Sequence, residues 1–374
     1  MSSRGYQIPY ANLNAQWQDD REELLPIIEK VFSSGQYVGG DEVEIFERSV
    51  AKFCNVKYAV ALNSGTDALT LALHILGVKR GDEVITPPNS FIASTAVIKH
   101  LGASPVFVDV LPDQNIDPSK IEAAINSKTR AIMPVHLTGR MCDMDSIMRI
   151  AEKYNLKVIE DAAQAIGSKY KNKLSGSIGD IGCFSTHPLK NLNACGDGGF
   201  LTTNDKDICA KTKVLRSHGI IERDIIKQFG YVSRMDNLQG AILNFRLSKL
   251  GKIINKRRKN AELYINTINQ NNIFFPKHNK YEFNTYHTFV IQTEQRDELK
   301  EYLKKNGVET AIHYPTPIHL QPASIVFGYK EGDFPVVEKQ AKQILTLPIN
   351  QSLNQPDIEL ISSLINNFFI NDRH

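Results

Sequence analysis

Residues 57–76, K-Y-A-V-A-L-N-S-G-T-D-A-L-T-L-A-L-H-I-L, carry the pattern that decides the fold. The apolar run Tyr58 to Leu62 predicts a buried strand, and the amphipathic stretch Asp67 to Leu76 predicts a helix. The alternation continues in the segments Glu83 to Thr86, Ile92 to Leu101, Pro105 to Val108, Pro118 to Ile125, Ala131 to Val135, Met144 to Tyr154 and Lys157 to Ile159. Strands that alternate with helices predict an α/β fold with a mostly parallel sheet flanked by helices. Functional residues of such sheets lie at the carboxyl ends of the strands.

The composition is that of a folded, soluble protein. The chain has 374 residues, of which 42% are hydrophobic and 23% charged, so disordered, collagenous and coiled-coil classes are disfavoured. The formal net charge of +3 is too small for a nucleic-acid binder that works by bulk charge. Five cysteines without C-x-x-C spacing, no signal-peptide pattern and no apolar run of about 18 residues favour a cytoplasmic protein without a membrane role.

A change of pattern near Gly251 predicts two domains. Residues 1–250 would form a large domain with the N-terminal segment, and residues 251–374 a small C-terminal α+β domain. The basic run Lys249 to Lys259 lies at this boundary. Because apolar residues such as Leu250 are interleaved with the basic ones, we interpret the run as an amphipathic helix with a solvated face, not as a nucleic-acid patch.

The loop after the first strand, Asn63 to Asp67, is built from small and hydroxyl-bearing residues. Backbone N–H groups point out of a helix N-terminus, so the loop predicts an anion cradle for a phosphate monoester. Ser64 as an ordinary helix cap explains the loop equally well.

Two later segments place a carboxylate and a lysine where ligands bind. Asp161 follows an apolar strand, where it would pair with a protonated ring nitrogen, although a capping acid fits the segment as well. Lys190 lies in the mostly apolar loop Cys183 to Leu192, and burial would lower its pKa toward the range in which a neutral amine forms a Schiff base. A phosphate cradle, an aspartate and a lysine are together the parts that hold pyridoxal 5′-phosphate.

The order of these motifs resembles the DegT/DnrJ/EryC1/StrS family of sugar aminotransferases, which have the aspartate-aminotransferase (fold type I) architecture. The matching segments are Ser34 to Gly40, Asn63 to Leu69, Gly81 to Ile85, Phe107 to Asp109, Pro134 to Leu137, Glu160 to Gly167, Phe184 to Lys190, Ser233 to Asp236 and His313 to Pro315. They follow in order over nearly the whole chain. The resemblance implies a pyridoxal-phosphate enzyme and a homodimer with shared active sites.

The resemblance also implies roles for single residues. Lys190 would form the Schiff base and shuttle a proton, and Asp161 would hold the pyridinium. Further cofactor contacts would come from Ser64, Gly65, Thr66, Phe91, Gln164 and Ser185. Phe91 would stack on the ring, unless it is a core phenylalanine. Substrate contacts would come from Arg234, His313, Tyr314 and His319, and no metal site is expected.

Val232 departs from the family pattern. The family has an asparagine two residues before the arginine that corresponds to Arg234, and this asparagine reaches the cofactor phosphate of the partner subunit. A valine side chain cannot donate a hydrogen bond. We therefore do not expect this cross-subunit contact.

The implied reaction is transfer of the amino group of glutamate to a keto-sugar, which we expect to be nucleotide-linked. The product would be an amino sugar for a surface glycan, such as the O-antigen of lipopolysaccharide, or for a secondary metabolite. Lys190 favours transamination, because the dehydratases of the family carry histidine there. A free keto-sugar acid such as an oxidised octulosonate, and a non-catalytic regulator with the same fold, stay open as alternatives. A cysteine desulfurase would share the fold, but it needs a cysteine in the later half of the chain, and Cys209 is the last one. A nicotinamide dehydrogenase is disfavoured because it needs a glycine fingerprint after its first strand, which this sequence lacks.

Overall fold

The computed structural model describes residues 7–371. Its α-helices are α1 (Leu13–Ser34), α2 (Asp41–Phe53), α3 (Gly65–Ile75), α4 (Ala93–His100), α5 (Met144–Tyr154), α6 (Lys206–Leu215), α7 (Asn237–Thr267), α8 (Arg296–Lys305), α9 (Pro335–Gln343) and α10 (Gln355–Asn371). Its strands are β1 (Tyr58–Leu62), β2 (Glu83–Thr86), β3 (Ser104–Phe107), β4 (Thr129–Ile132), β5 (Lys157–Asp161), β6 (Lys169–Tyr170), β7 (Lys173–Leu174), β8 (Ile181–Ser185), β9 (Gly199–Thr203), β10 (Ile220–Glu222), β11 (Ile225–Ile226), β12 (Glu282–Phe283), β13 (Phe289–Gln292) and β14 (Ile344–Leu347). In this part of the chain, no helix is both long and apolar enough to cross a membrane.

Seven strands form the central sheet in the order β1-β9-β8-β5-β4-β2-β3. Neighbours are parallel except β9, which runs antiparallel to β1 and β8. The predicted α/β class with a mostly parallel sheet is confirmed.

The stretch Pro118 to Ile125 differs from the expected helix, since it forms two 3-10 turns, Pro118–Lys120 and Glu122–Ala124. Ile125 is already extended, so the stretch is too short to nucleate an α-helix.

Side chains of the sheet alternate between two apolar layers, as the two-residue period of a strand requires. Val60 and Ile159 pack with α3 and α4 on one face. Ala61 and Phe184 pack with α2 and α7 on the other face. Packing on both faces holds the sheet in place and thereby positions the loops that leave its carboxyl edge.

A smaller layer follows around the antiparallel pair β13 and β14, which packs with α8 and α10. The long helix α7 joins the central sheet to the smaller layer. Its residues Leu243 and Leu250 pack against the sheet, and Ala261 and Tyr264 pack in the smaller layer. Gly251 therefore lies inside one continuous helix. The division into residues 1–250 and 251–374 stays a prediction.

The basic run is exposed only in part. Lys252 and Lys259 are exposed, as expected of a solvated face. Arg257, however, is only 7% exposed. It lies at helical spacing from the buried residues Leu250, Ile254 and Ala261, which places it on the buried stripe of α7. Arg257 thus lies on the buried side of this amphipathic helix and not on its solvated face.

Candidate active site

A cavity of about 450 Å³ opens at the carboxyl ends of β1, β5 and β8. Ser64, Asp161 and Ser185, which end or follow these strands, line its wall. The opposite wall comes from the smaller layer and includes Arg257 and His313. The cavity therefore lies where the loops of a mostly parallel sheet are expected to hold a ligand.

The predicted anion cradle lies at the N-terminus of α3. Ser64 caps this helix, since its Oγ accepts a hydrogen bond of 3.0 Å from the backbone N–H of Asp67. A Cβ atom on Gly65 would lie 2.7 Å from the Cβ of Ser185, so only glycine lets the two loops approach. A Cβ atom on Gly199 would lie 2.5 Å from the backbone nitrogen of Gly65. The two glycines thus let the loops of Ser64 and Ser185 approach each other beside the first turn of α3. Ser64 is a helix cap, and the anion cradle stays a prediction.

Asp161 ends β5 and is buried. Its Oδ2 accepts a hydrogen bond of 2.7 Å from Ser94 Oγ, and its Oδ1 accepts one of 3.2 Å from the backbone N–H of Ala163. Burial raises the pKa of Asp161, and the Ser94 hydroxyl, the Ala163 N–H and the charge of Lys190 offset only part of this increase. A cation beside this carboxylate would therefore be stabilised.

Glu160, the neighbour of Asp161, is fully satisfied by the protein. Its carboxylate accepts hydrogen bonds of 2.7 to 2.9 Å from three backbone N–H groups, those of Gly176, Ile178 and Gly179, and from His136 Nε2. The other ring nitrogen of His136 accepts from the Cys142 N–H, so Nε2 carries the hydrogen. Although burial raises the pKa of Glu160, these donors hold it below its usual range. This network anchors the end of β5.

Lys190 lines the same cavity. Burial lowers its pKa to about 8, and the charge of Asp161 only partly opposes this effect. At pH 7 about a tenth of the amine is then neutral, against well under a thousandth for an ordinary lysine. A neutral amine is the form that attacks a carbonyl group.

Four more of the predicted residues line the cavity. Gln164 is held by the backbone N–H of Thr138, which donates to its Oε1 at 2.8 Å. Phe91 is 56% exposed, which rules out its interpretation as a core phenylalanine. Its ring centroid lies 6.1 Å from that of Tyr314, next to His313. Burial lowers the pKa of His313 to about 4, so its ring is neutral at pH 7.

Comparison with known proteins identifies the family of the chain. The profile of the DegT/DnrJ/EryC1/StrS aminotransferase family matches residues 18–366. The chain belongs to this family. The protein is accordingly an enzyme that makes amino sugars by transamination, and pyridoxal 5′-phosphate is its cofactor.

Relatives of this aminotransferase match it over nearly its whole length. A "pleiotropic regulatory protein" of Geobacillus stearothermophilus is 39% identical over 97% of this chain and 98% of its own. The dTDP-3-amino-3,4,6-trideoxy-alpha-D-glucose transaminase of Streptomyces venezuelae is 38% identical over 95% of both chains. Among solved structures, DesV of S. venezuelae superposes with a TM-score of 0.94 at 37% identity, covering 96% of this chain and 98% of that one.

Two predicted substrate residues of the aminotransferase lie outside the cavity of its own chain. Arg234 is exposed on the surface, two residues after the exposed Val232. His319 is buried, its Nε2 lies 3.0 Å from Glu338 Oε1, and its ring packs edge-on against Phe334. Both substrate contacts stay predictions.

Two residues of the site were missed in the sequence. Ser94, which donates to Asp161, lies in the first turn of α4 among other small residues. Arg257 was hidden in the basic run, although its spacing from Leu250 and Ile254 marks the buried stripe. Arg257 could have been found from helical periodicity, whereas Ser94 depends on how the fold brings α4 to the end of β5.

Proposed function

We propose that this aminotransferase moves the amino group of glutamate to a nucleotide-linked keto-sugar, making an amino sugar for a surface glycan or a secondary metabolite in the cytoplasm. The observation that carries the proposal is one cavity with three parts: the cradle at α3, the buried Asp161 and the amine of Lys190 with its lowered pKa. The transaminase of S. venezuelae, named for a dTDP-linked sugar, supports the nucleotide.

The residues of the cavity fit pyridoxal 5′-phosphate. The close approach that Gly65 and Gly199 allow leaves a concave, donor-rich surface, which suits a phosphate dianion. Ser64, Gly65, Thr66 and Ser185 would hold the phosphate. Asp161 would hold the ring nitrogen, Phe91 would lie against the ring, and Gln164 would contact its oxygen. When bound, the cofactor supplies an electron sink for the carbon that carries the amino group.

Lys190 would hold the cofactor covalently and, when released, serve as the proton carrier. Its neutral Nζ would take a proton from the donor carbon that carries the amino group. In the second half of the reaction it would give a proton to the sugar carbon that receives the amino group. The lowered pKa suits this role, because efficient proton transfer needs a group whose pKa lies near the working pH.

We further expect a homodimer with shared active sites. The hairpin of β10 and β11 exposes Ile220, Ile221, Ile225 and Ile226, and Phe229 beyond it is 96% exposed. An exposed apolar patch of this kind favours association. Arg234 follows the same segment and would reach the cavity of the partner. The loop of His319 would contact the substrate.

Mixed dimers test the sharing of sites. Lys190→Ala and Arg234→Ala dimers should each be inactive. A hybrid of the two should regain one of its two sites, so an equimolar mixture re-associated at random should regain about a quarter of the wild-type sites. A monomeric mass in light scattering, or no regained activity in confirmed hybrids, would refute shared sites.

A substrate panel tests the function. The enzyme is incubated with glutamate and with UDP-, GDP- and dTDP-linked 3-keto and 4-keto sugars, and with an oxidised octulosonate, and amine products are scored by mass. A product from one nucleotide-linked sugar that is absent with Lys190→Ala is the expected result. Product from the octulosonate alone would favour a free keto-sugar acid. Cofactor-loaded protein without any product would favour a regulator, as the name of the Geobacillus relative suggests.

A further inference from the structure

Arg257 is a buried cation in the cavity wall. Its guanidinium donates through Nη1 to the carbonyl oxygens of Tyr286 and His287, at 3.2 and 3.1 Å. Through Nη2 it donates to the amide oxygen of Gln351, at 3.3 Å. All of these acceptors are neutral, and within residues 7–371 no Asp or Glu forms an ion pair with Arg257. A buried charge that is not paired is costly.

One edge of the guanidinium is left for a ligand. An arginine has five N–H donors, of which three are used here. The remaining two are Nε–H, which is buried without a hydrogen-bond partner, and the second N–H of Nη2. Nε–H and an Nη2–H point the same way and form the fork that matches the two oxygens of a carboxylate.

The groups around Arg257 do not supply the missing negative charge. Burial keeps the pKa of His287 well below its usual range, and the charges of Lys190 and Arg257 lower it further, so the ring is neutral. Burial raises the pKa of Tyr10, so its phenol is neutral as well. Asp161 is the buried carboxylate of the cavity, and its charge acts on Lys190. This wall therefore suits an anion from outside the protein.

We propose that Arg257 binds a carboxylate of the amino donor, through its Nε and Nη2 edge. The inference rests on the proposed function and adds the residue that recognises glutamate and 2-oxoglutarate. Gln351 accepts from Nη2 beside this edge, and its neutral amide oxygen is a weaker acceptor than a carboxylate.

Gln351→Glu is the sharpest test, because it places a permanent carboxylate beside the Arg257 fork without changing the shape of the side chain. The internal carboxylate should compete with the donor. Calorimetry with 2-oxoglutarate, which has no amino group to transfer, on pyridoxal-phosphate-loaded protein should give a dissociation constant raised at least tenfold. The thermal unfolding midpoint should rise, because the buried charge becomes paired.

Asn12→Asp is the matched control. Asn12 lines the same cavity and caps α1, where its Oδ1 accepts from Ala15, so aspartate keeps that hydrogen bond and adds the same charge. The dissociation constant of 2-oxoglutarate should change less than threefold. An equal loss in both variants, or a Gln351→Glu dissociation constant within threefold of wild type, would overturn the proposal.

Arg257→Lys separates the fork from the charge. It should raise the dissociation constant of 2-oxoglutarate about tenfold and leave the KM of the keto-sugar within threefold, and a larger effect on the keto-sugar would overturn the assignment. If this variant does not fold, Gln351→Glu still decides. Wild-type protein that binds 2-oxoglutarate but makes no amine product would contradict the proposed function, whereas wild-type turnover with unchanged binding in Gln351→Glu would contradict only the role of Arg257.

Discussion

Replacing Ser94 by alanine should move the pH dependence of cofactor binding. The Ser94 hydroxyl donates to Asp161 at 2.7 Å, and both side chains are buried. A hydrogen bond to a charged group contributes about 1.5 to 3 kcal/mol, and one pKa unit corresponds to about 1.4 kcal/mol. Ser94→Ala should therefore raise the pKa of Asp161, which burial has already raised, by about one to two units.

The sign of the effect follows from the charge that Asp161 needs. Only the ionised carboxylate pairs with a protonated ring nitrogen, so binding weakens as the pH falls through the pKa of Asp161. In Ser94→Ala this weakening should begin about one to two pH units higher. The loss of affinity should reach about tenfold to a hundredfold at the acidic end and vanish at alkaline pH. Absorbance titrations of apoenzyme with pyridoxal phosphate at several pH values measure it.

Ser90→Ala is the control, because Ser90 precedes α4 and is also buried, but its hydroxyl donates to the backbone oxygen of Phe91, at 3.1 Å. Its pH dependence should match that of the wild type. A Ser94→Ala midpoint at the wild-type position, or an equal displacement in both variants, would refute the role of the hydroxyl.

Three further variants test the cradle, the lysine and the anchor. Lys190→Ala should unfold as the wild type does but form no amine product, as measured by mass. In the wild type, borohydride trapping should show that covalent cofactor loading rises as the pH passes about 8, the pKa of Lys190. Gly65→Ala should lower the free energy of unfolding by about 1 to 3 kcal/mol in denaturant titrations, because its Cβ would meet Ser185. Glu160→Gln should lower it by about 3 to 5 kcal/mol at pH 7. Because the folded pKa of Glu160 is lowered, this difference should shrink as the pH falls below about 4, and a constant difference would contradict the charge effect.

The sheet and the main parts of the cavity could be predicted from the sequence. Strand and helix periods are local, so β1, β2 and α5 have the predicted bounds. Parallel strands bring their carboxyl ends to one edge, and loops far apart in sequence therefore meet. That rule alone places Ser64, Asp161 and Ser185 around one cavity.

The remaining contacts depend on packing that no local pattern encodes. Ser94 is a neighbour of Asp161 only because the fold brings the first turn of α4 to the end of β5. Arg257 looks like one more surface cation until the smaller layer covers α7 and supplies the carbonyl groups of Tyr286 and His287. His319 looks like a substrate histidine because of its neighbours in sequence, but in the fold its ring is buried beside Glu338 and does not line the cavity.

The adjacent pair Glu160 and Asp161 shows why a motif of two carboxylates does not by itself assign their roles. Successive residues of a strand point to opposite faces, so the two side chains enter different surroundings. Four donors satisfy Glu160 and lower its pKa, which makes it an anchor. Asp161 has two donors, a raised pKa and a face on the cavity. The carboxylate that the fold satisfies least is the one left to pair with a cation from outside the chain.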